Sequence, residues 1–224
     1  MSLLSEYGVV LLQGLLVTLL LSLASWTIAF LIGLLLTLVR MMKVKILEFV
    51  VLAFIEYQRN VPPLVHIFLW YFGMSSLMPD AIQEWMNEHH ADFMFAAIAV
   101  GLYYGAYFAE DIRSGLRSIP NGQQEAARAI GMSYPATMRR VVLPQALRVS
   151  IPPMISNTVM LVKTTSLAMV IGVMELTYVT KEVASGTFRI FETYGVSTAM
   201  YVAVALCLLF FGSWLTEKLK IKGR

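Results

Sequence analysis

The chain has 224 residues, 58% of them hydrophobic and only 14% charged, with a mean hydropathy of +0.71 and a formal net charge of +3. A soluble domain carries about a quarter charged residues, so this composition excludes an ordinary soluble globular protein and places the chain in a membrane. A single cysteine, Cys207, lies inside an apolar run, which excludes a disulfide framework and a cysteine-rich metal site.

A span takes about 20 predominantly apolar residues, and the apolar runs predict five of them in one all-α transmembrane domain over 1–224. The first covers about residues 15–39 and ends at Arg40, Lys43 and Lys45. Its leading MSLLSEYG has no basic n-region, and the run that follows is too long for a signal peptide, so it reads as an uncleaved span. The second covers about 47–73 and is broken near its middle by Arg59, Asn60, Pro62 and Pro63. A polar loop from Ser75 to Asp92 follows, carrying Asp80, Glu84, Glu88 and Asp92. The third span covers about 93–113, the fourth about 151–176 and the fifth about 196–216, with a polar connection over 114–150 and a polar stretch around Thr180 to Tyr194.

Charge orients these spans. The segments after spans one and three, with the tail, hold Arg40, Lys43, Lys45, Arg113, Arg117, Arg128, Arg139, Arg140, Arg148, Lys218, Lys220, Lys222 and Arg224. Only Arg59, Lys163, Lys181 and Arg189 lie elsewhere among the 17 Lys and Arg. The positive-inside rule then puts the N-terminus outside and the 114–150 loop and C-terminus in the cytoplasm. The basic pI of about 9.0 needs no nucleic acid, because these charges sit beside anionic lipid.

Within the loop, Glu125 to Pro144 reads EAARAIGMSYPATMRRVVLP. It predicts a short helix from Gln123 to Ile130, ended by Gly131 in the left-handed C′ position. Ser133 then caps a second helix with Pro135 in its first turn, and that helix stops or kinks near Pro144. Such a hairpin is either an amphipathic connector or a shape held by another protein, and the residues alone leave both open.

Ionisable groups at membrane depth point to function by default. Pro62 and Pro63 free backbone groups that must find protein or water, so the break beside Arg59 faces a cavity, or it is a kink in which Glu56 and Arg59 pair. His66 is a partner for Glu56 or a satisfied helix residue. In the third span, Gly101, Gly105 and Ala109 form a small-residue stripe for close packing, including subunit against subunit. Tyr103, Tyr104 and Tyr107 line a polar path or pack as aromatics; Glu110 and Asp111 are placed to pair with Arg113 and Arg117. The fourth span holds Asn157 and Lys163-Thr164-Thr165-Ser166. Four consecutive polar residues cannot all face lipid; Lys163 suits a solute carboxylate and the hydroxyls suit its hydrogen bonds. The His89-His90 pair is too small a set to be read as a metal site.

The spacing EAA-x3-G-x9-(I/V)-x-LP, at Glu125, Ala126, Ala127, Gly131, Val141, Leu143 and Pro144, resembles the EAA loop of bacterial ABC importer permeases. RNVPPLV from Arg59 and YFAEDIRSGLRSIPNGQQEAARAIG from Tyr107 are similar to segments of the polar amino-acid branch of that family, and the resemblance covers nearly the whole chain. Two departures are KTTSL from Lys163, where the family often has KDTSL, and the doubled proline at Pro62-Pro63. The resemblance implies an inner-membrane permease subunit of an ATP-driven amino-acid importer, not an enzyme. Its EAA loop would dock on a cytoplasmic ABC ATPase dimer, a periplasmic amino-acid-binding protein would deliver solute, and a second permease subunit, related or identical, would complete the pore. NVPPLV and MVIGVMELT lean toward glutamate/aspartate permeases, with glutamine, histidine or arginine as alternatives. No GxxxxGK(S/T) occurs, so ATP and magnesium are expected on the ATPase and no cofactor on this chain. The solute path expected is Arg59, Tyr103, Asn157, Lys163, Thr164, Thr165 and Ser166. A transporter driven by an ion gradient is the rival class; the lopsided charge and the lack of an internal repeat stand against it.

Overall fold

The computed structural model describes residues 3–42 and 44–219. Lys43, Lys220, Lys222 and Arg224, counted above among the inward charges, lie outside the described residues, as do Met1 and Ser2 of the leading segment. The described residues are helical throughout, joined by short turns.

α1 (Leu3–Met41) has 39 residues, about 58 Å at 1.5 Å per residue and well beyond the roughly 30 Å of a hydrocarbon core. Its burial is inverted relative to a soluble helix. Gly14, Thr18, Ser22, Ser25, Ala29, Gly33 and Thr37 face inward, whereas Leu12, Leu16, Leu20, Leu23, Leu31 and Leu35 are exposed. Lipid is as apolar as leucine, so helices associate through small residues that let backbones approach. Three of the buried hydroxyls bond back to their own helix, Thr18 donating to the Gly14 carbonyl at 3.1 Å, Ser22 to Thr18 at 2.7 Å and Thr37 to Gly33 at 2.8 Å, while that of Ser25 has no partner among the described residues.

That inner stripe packs on α5 (Ala91–Arg117), the most buried long helix. A Cβ at Gly101 would stand 2.7 Å from Ile28, one at Gly105 2.8 Å from Ile32, and one at Gly33 2.8 Å from Phe108. The glycine stripe predicted on the third span is therefore used within the chain, against α1.

The second apolar segment is two helices. α2 (Lys45–Asn60) closes with the Val61 N–H on the Tyr57 carbonyl at 3.2 Å, and Val61 and Pro62 are extended (ψ 134° and 140°). A residue before proline is pushed out of the helical region, and two successive prolines apply this to both Val61 and Pro62. α3 (Pro63–Phe68) starts with Pro63 in its first turn and continues through a π-helical turn, Leu69–Met74. Pieces of 16 and 12 residues reach about 24 and 18 Å, each less than the hydrocarbon core. Among the described residues, four helical stretches are long and apolar enough to cross alone: Leu3–Met41, Ala91–Arg117, Tyr134–Ile171 and Ile190–Leu219.

Two elements replace predicted polar loops. α4 (Asp80–Glu88) turns Met86 onto Ala91 and Phe95 of α5 and leaves Asp80, Glu84 and Glu88 outward. α6 (Asn121–Ala129) and α7 (Tyr134–Thr137) form the hairpin, and α8 (Leu143–Thr164) continues from α7 through a π-helical turn, Met138–Val142. Past α8 a 3₁₀ stretch, Thr165–Ile171, ends at Gly172 with φ +96°. α9 (Leu176–Thr187) occupies the second expected polar stretch, and α10 (Ile190–Leu219) closes the chain against α8 and α9 with only Thr193, Ser197 and Gly212 buried.

Candidate functional site

The hairpin is built as its sequence dictates at the glycine. α6 ends with the Gly131 N–H on the Arg128 carbonyl at 3.0 Å and the Met132 N–H on the Ala127 carbonyl at 3.1 Å. This paired closure is a Schellman motif, which needs a left-handed C′ residue, and Gly131 has φ +84°. Ala127 is buried, while Glu125, Ala126 and Gly131 are exposed, together with Ile130 (80%) and Tyr134 (58%). The hairpin thus presents apolar and small side chains on a surface that nothing among the described residues covers.

Ser133 stands at the N-cap in extended conformation (ψ 158°) with Pro135 in the first turn, but its hydroxyl makes no capping hydrogen bond. Of the stop or kink expected near Pro144, the stop does not occur, because the helix runs on. Met138–Val142 widens to a π turn just ahead of Pro144, which lies in the first turn of α8, where a missing N–H is tolerated. Val141, Leu143 and Pro144 are half-buried; beside them Val142 and Ala146 pack on Ile119 and hold the hairpin to the end of α5. Gln145 bonds the Val141 carbonyl at 3.0 Å and reaches Gln123 of α6 at 3.4 Å.

A second cluster forms where α2, α5 and α8 meet. The Arg59 guanidinium lies over the Tyr107 ring, 5.3 Å from its centre, a cation–π contact that keeps an arginine near aromatic surface. Tyr107 and Tyr103 share a hydrogen bond between hydroxyls at 3.2 Å, and Tyr104 meets the Thr164 hydroxyl at 2.8 Å. One helical turn further along α5, Asp111 accepts from the Asn157 amide at 2.7 Å. Tyr103, Tyr107 and Asp111 follow at four-residue spacing, so they share one face of α5. The tyrosines combine the polar path and the aromatic packing that the sequence offered as alternatives.

The expected path residues divide. Arg59, Tyr103, Thr164 and Asn157 join this cluster. Thr165 is buried against α1, where its hydroxyl donates to the Val162 carbonyl at 2.7 Å and lies 3.5 Å from Ser22. Ser166 bonds back to the Lys163 carbonyl at 2.7 Å. Lys163 is exposed and forms no ion pair among the described residues.

The Glu110–Arg113 pair forms as expected, but other local pairings differ from the sequence reading. Glu56 accepts from Asn60 at 3.0 Å rather than from Arg59. Glu110 is bridged by Arg113 and by Arg40 of α1, each at 2.6 Å, while Asp111 turns away from these cations to Asn157. His66 is only 1% exposed, wedged between the Tyr57 and Tyr103 rings, with neither ring nitrogen hydrogen-bonded.

Sequence reasoning missed Glu175. Its carboxylate is fully buried and accepts from the Tyr201 hydroxyl at 2.7 Å, the Tyr178 N–H at 2.8 Å and the Thr18 hydroxyl at 3.3 Å. It caps α9 and ties that helix to α1 and α10. The signal was a lone acid after Gly172 at the edge of an apolar run, followed by a helix-compatible stretch.

A polar aromatic cluster within a membrane domain and an exposed hairpin at its edge are the parts of a transport subunit. Residues 29–220 match the family described as binding-protein-dependent transport system inner membrane component. The chain belongs to this family. The glutamate/aspartate import permease GltJ of Escherichia coli is 30% identical over 215 residues, 94% of this chain and 87% of that protein. The probable amino-acid permease YxeN of Bacillus subtilis is 38% identical over 184 residues, 82% of this chain and 80% of that protein. Among solved structures, the crystal structure of an amino acid ABC transporter with histidines superposes with a TM-score of 0.85 at 30% identity, covering 96% of each chain. Names of further relatives range over glutamine, octopine and nopaline systems. The permease is thus an inner-membrane subunit of an ABC amino-acid importer and not an enzyme. Importers of this family work with an ATPase and a substrate-binding protein.

Proposed function

We propose that the permease imports glutamate or aspartate and that its α6–α7 hairpin receives the work of ATP. In this reading the broken α2–α3 segment is a fifth crossing and residues 1–224 form one domain. The N-terminus lies outside, and residues 114–150 and the C-terminus are cytoplasmic. An ATPase dimer holding ATP and magnesium grips Glu125, Ala126, Ala127 and Gly131, with Val141, Leu143 and Pro144 fixing the base. A periplasmic amino-acid-binding protein delivers solute, and a second permease subunit, identical or related, completes the pore.

One observation carries the coupling reading: the EAA residues sit on a hairpin locked by a Schellman closure, with Ile130 and Tyr134 presented to a partner. Closure of the ATPase would move the hairpin and, through α7 and α8, the helix that bears Thr164, a two-state element biased by ligand. The solute path runs past Arg59, Tyr103, Asn157 and Thr164, with Lys163 at its edge; Thr165 and Ser166 shape the 3₁₀ turn. Two cations near one path, Arg59 and Lys163, neither in an ion pair among the described residues, suit a solute with two carboxylates. Thr164 favours a second reading, a neutral polar amino acid such as glutamine, because its hydroxyl offers hydrogen bonds without charge.

The test is ATP-driven uptake by proteoliposomes holding the permease, its ATPase and its binding protein. Glutamate and aspartate should compete with each other and outcompete glutamine, and Lys163→Ala should lower uptake without loss of assembly. Glutamine outcompeting both acids would replace the solute assignment. Uptake driven by an ion gradient without the ATPase would overturn the coupling reading.

A further inference from the structure

We propose, on the reading that the cluster of α2, α5 and α8 borders the solute path, that Asp111 receives the α-ammonium group of the transported amino acid while Arg59 holds its α-carboxylate. The two residues would then read the part that α-amino acids share, and leave the side chain to other contacts.

Asp111 differs from its neighbour in what it bonds. Glu110 is bridged by Arg40 and Arg113. Asp111 has one neutral partner: the Asn157 amide donates to Oδ2 at 2.7 Å, and Oδ1 accepts no hydrogen bond among the described residues. The side chain is half-buried, and Oδ1 is not closed off from a ligand. Arg59 is exposed, forms no ion pair among the described residues, and rests its guanidinium on the Tyr107 ring. The hydroxyls of Tyr103, Tyr104 and Tyr107 are engaged with one another or with Thr164. Arg59 and Asp111 are therefore the open charges of this cluster.

Their spacing is what a zwitterion needs. Tyr107 beneath Arg59 and Asp111 stand four residues apart on α5, with Cβ atoms about 5–6 Å apart on one face. The Arg59 charge acts on the Asp111 carboxylate, yet the two do not close into an ion pair. Opposite charges attract strongly where water is scarce; here the tyrosine ring holds one and the Asn157 amide holds the other. A cation and an anion kept apart in this way can each take one charge-assisted hydrogen bond of about 3 Å from the carboxylate and ammonium of one amino acid. A solute with carboxylates alone would set like charge against Asp111, and that repulsion is the selective element.

The experiment uses the intact permease–ATPase complex in detergent, without the binding protein. Equilibrium binding of radiolabelled glutamate is competed by glutarate, which keeps both carboxylates and lacks the ammonium. Wild type should prefer glutamate by about 10- to 100-fold, the worth of one charged hydrogen bond. Asp111→Asn keeps the size of the side chain and an acceptor for Asn157, and should bring the two ligands near parity by weakening glutamate and not glutarate. Asp111→Ser, a second neutral variant, should do the same, Asp111→Glu should restore most of the preference, and Arg59→Gln should weaken both ligands together. No preference in wild type, no saturable binding by the complex, or a preference unchanged in both neutral variants would overturn the proposal. Glutamine against 4-carbamoylbutanoate, its counterpart without the ammonium, is measured in parallel. Glutamine binding more tightly than glutamate would remove the acidic solute alone, and the loss or survival of the ammonium preference in the Asp111 variants would then decide the proposal on this second pair. Arg59→Gln without effect on either pair would take the cluster off the solute path and overturn both.

Discussion

Gly131 is where a single atom tests the hairpin. A Cβ placed there meets nothing within 4 Å, and the residue has φ +84°, so a side chain costs backbone conformation and nothing else. For an ordinary L-residue that cost is about 1–2 kcal/mol, a factor of roughly 5 to 30 in the population of the closed hairpin. Asn tolerates the left-handed region and should cost least. Ala should bear the full penalty, and a β-branched Val more. Pro cannot adopt positive φ and also removes the N–H that bonds the Arg128 carbonyl, adding about 1 kcal/mol or more and leaving the end of α6 open. The assay is ATP-driven uptake in proteoliposomes, with recovery of the ATPase on tagged permease measured in parallel. Uptake should fall in the order Asn, Ala, Val, Pro, by up to the stated factor for Ala and to background for Pro, at equal amounts of protein in the membrane. Wild-type uptake by Gly131→Pro, or Gly131→Asn as damaging as Gly131→Pro, would refute the reasoning.

Other expectations follow from the packing and the buried polar groups. Glu175→Ala removes three accepted hydrogen bonds and a helix cap and should destabilise the permease by about 3–5 kcal/mol in denaturant titrations in micelles. Glu175→Gln, which keeps an acceptor, should cost less, and a loss under about 0.5 kcal/mol for Ala would show that the carboxylate is not structural. Gly101→Leu forces α1 from α5 and should prevent accumulation of folded protein, read by monodispersity after solubilisation; a normal elution profile would refute the close packing. Asp111→Ala should lower uptake while leaving ATPase recovery intact, since it frees Asn157 at the path and lies away from the exposed face of the hairpin; an unchanged solute affinity and rate would make the Asp111–Asn157 pair a packing contact. Glu125→Lys should reduce ATPase recovery several-fold in co-purification, and undiminished recovery would remove Glu125 from the docking surface.

The sequence carried what backbone chemistry decides locally. Gly131 and Pro62-Pro63 each announce one conformation, and the structure adopts both. Long apolar runs likewise located α1, α5, α8 and α10, although their ends moved outward because exposed helix tips need no hydrophobicity. What could not be read was which face of each helix turns inward. Hydropathy is uninformative in lipid, and the inward stripe of α1 is written mostly in Gly, Ser, Thr and Ala, with Leu11 and Leu21 among them while most other leucines face out. Pairing across helices was equally hidden: Arg59 on Tyr107, Asp111 with Asn157, and Thr18 with Glu175 join residues far apart in the chain. Near neighbours misled, since Asp111 sits beside Arg113 in sequence but α-helical rotation points it at α8.

One feature of α8 sets how motion would travel. From Tyr134 to Thr164 the chain is helical without interruption, and its closest clamp is at Ser150, where α5 presents Gly115 and a Cβ would strike the Ser150 hydroxyl. Measured along the axis, Tyr134 lies about 24 Å to one side of that clamp and Thr164 about 21 Å to the other. This is a lever with nearly equal arms. In the proposed coupling, a displacement at the hairpin end would emerge at Thr164 with similar amplitude and opposite direction. In that reading the stroke would be governed by Gly115, which belongs to neither the hairpin nor the Arg59–Asn157 cluster.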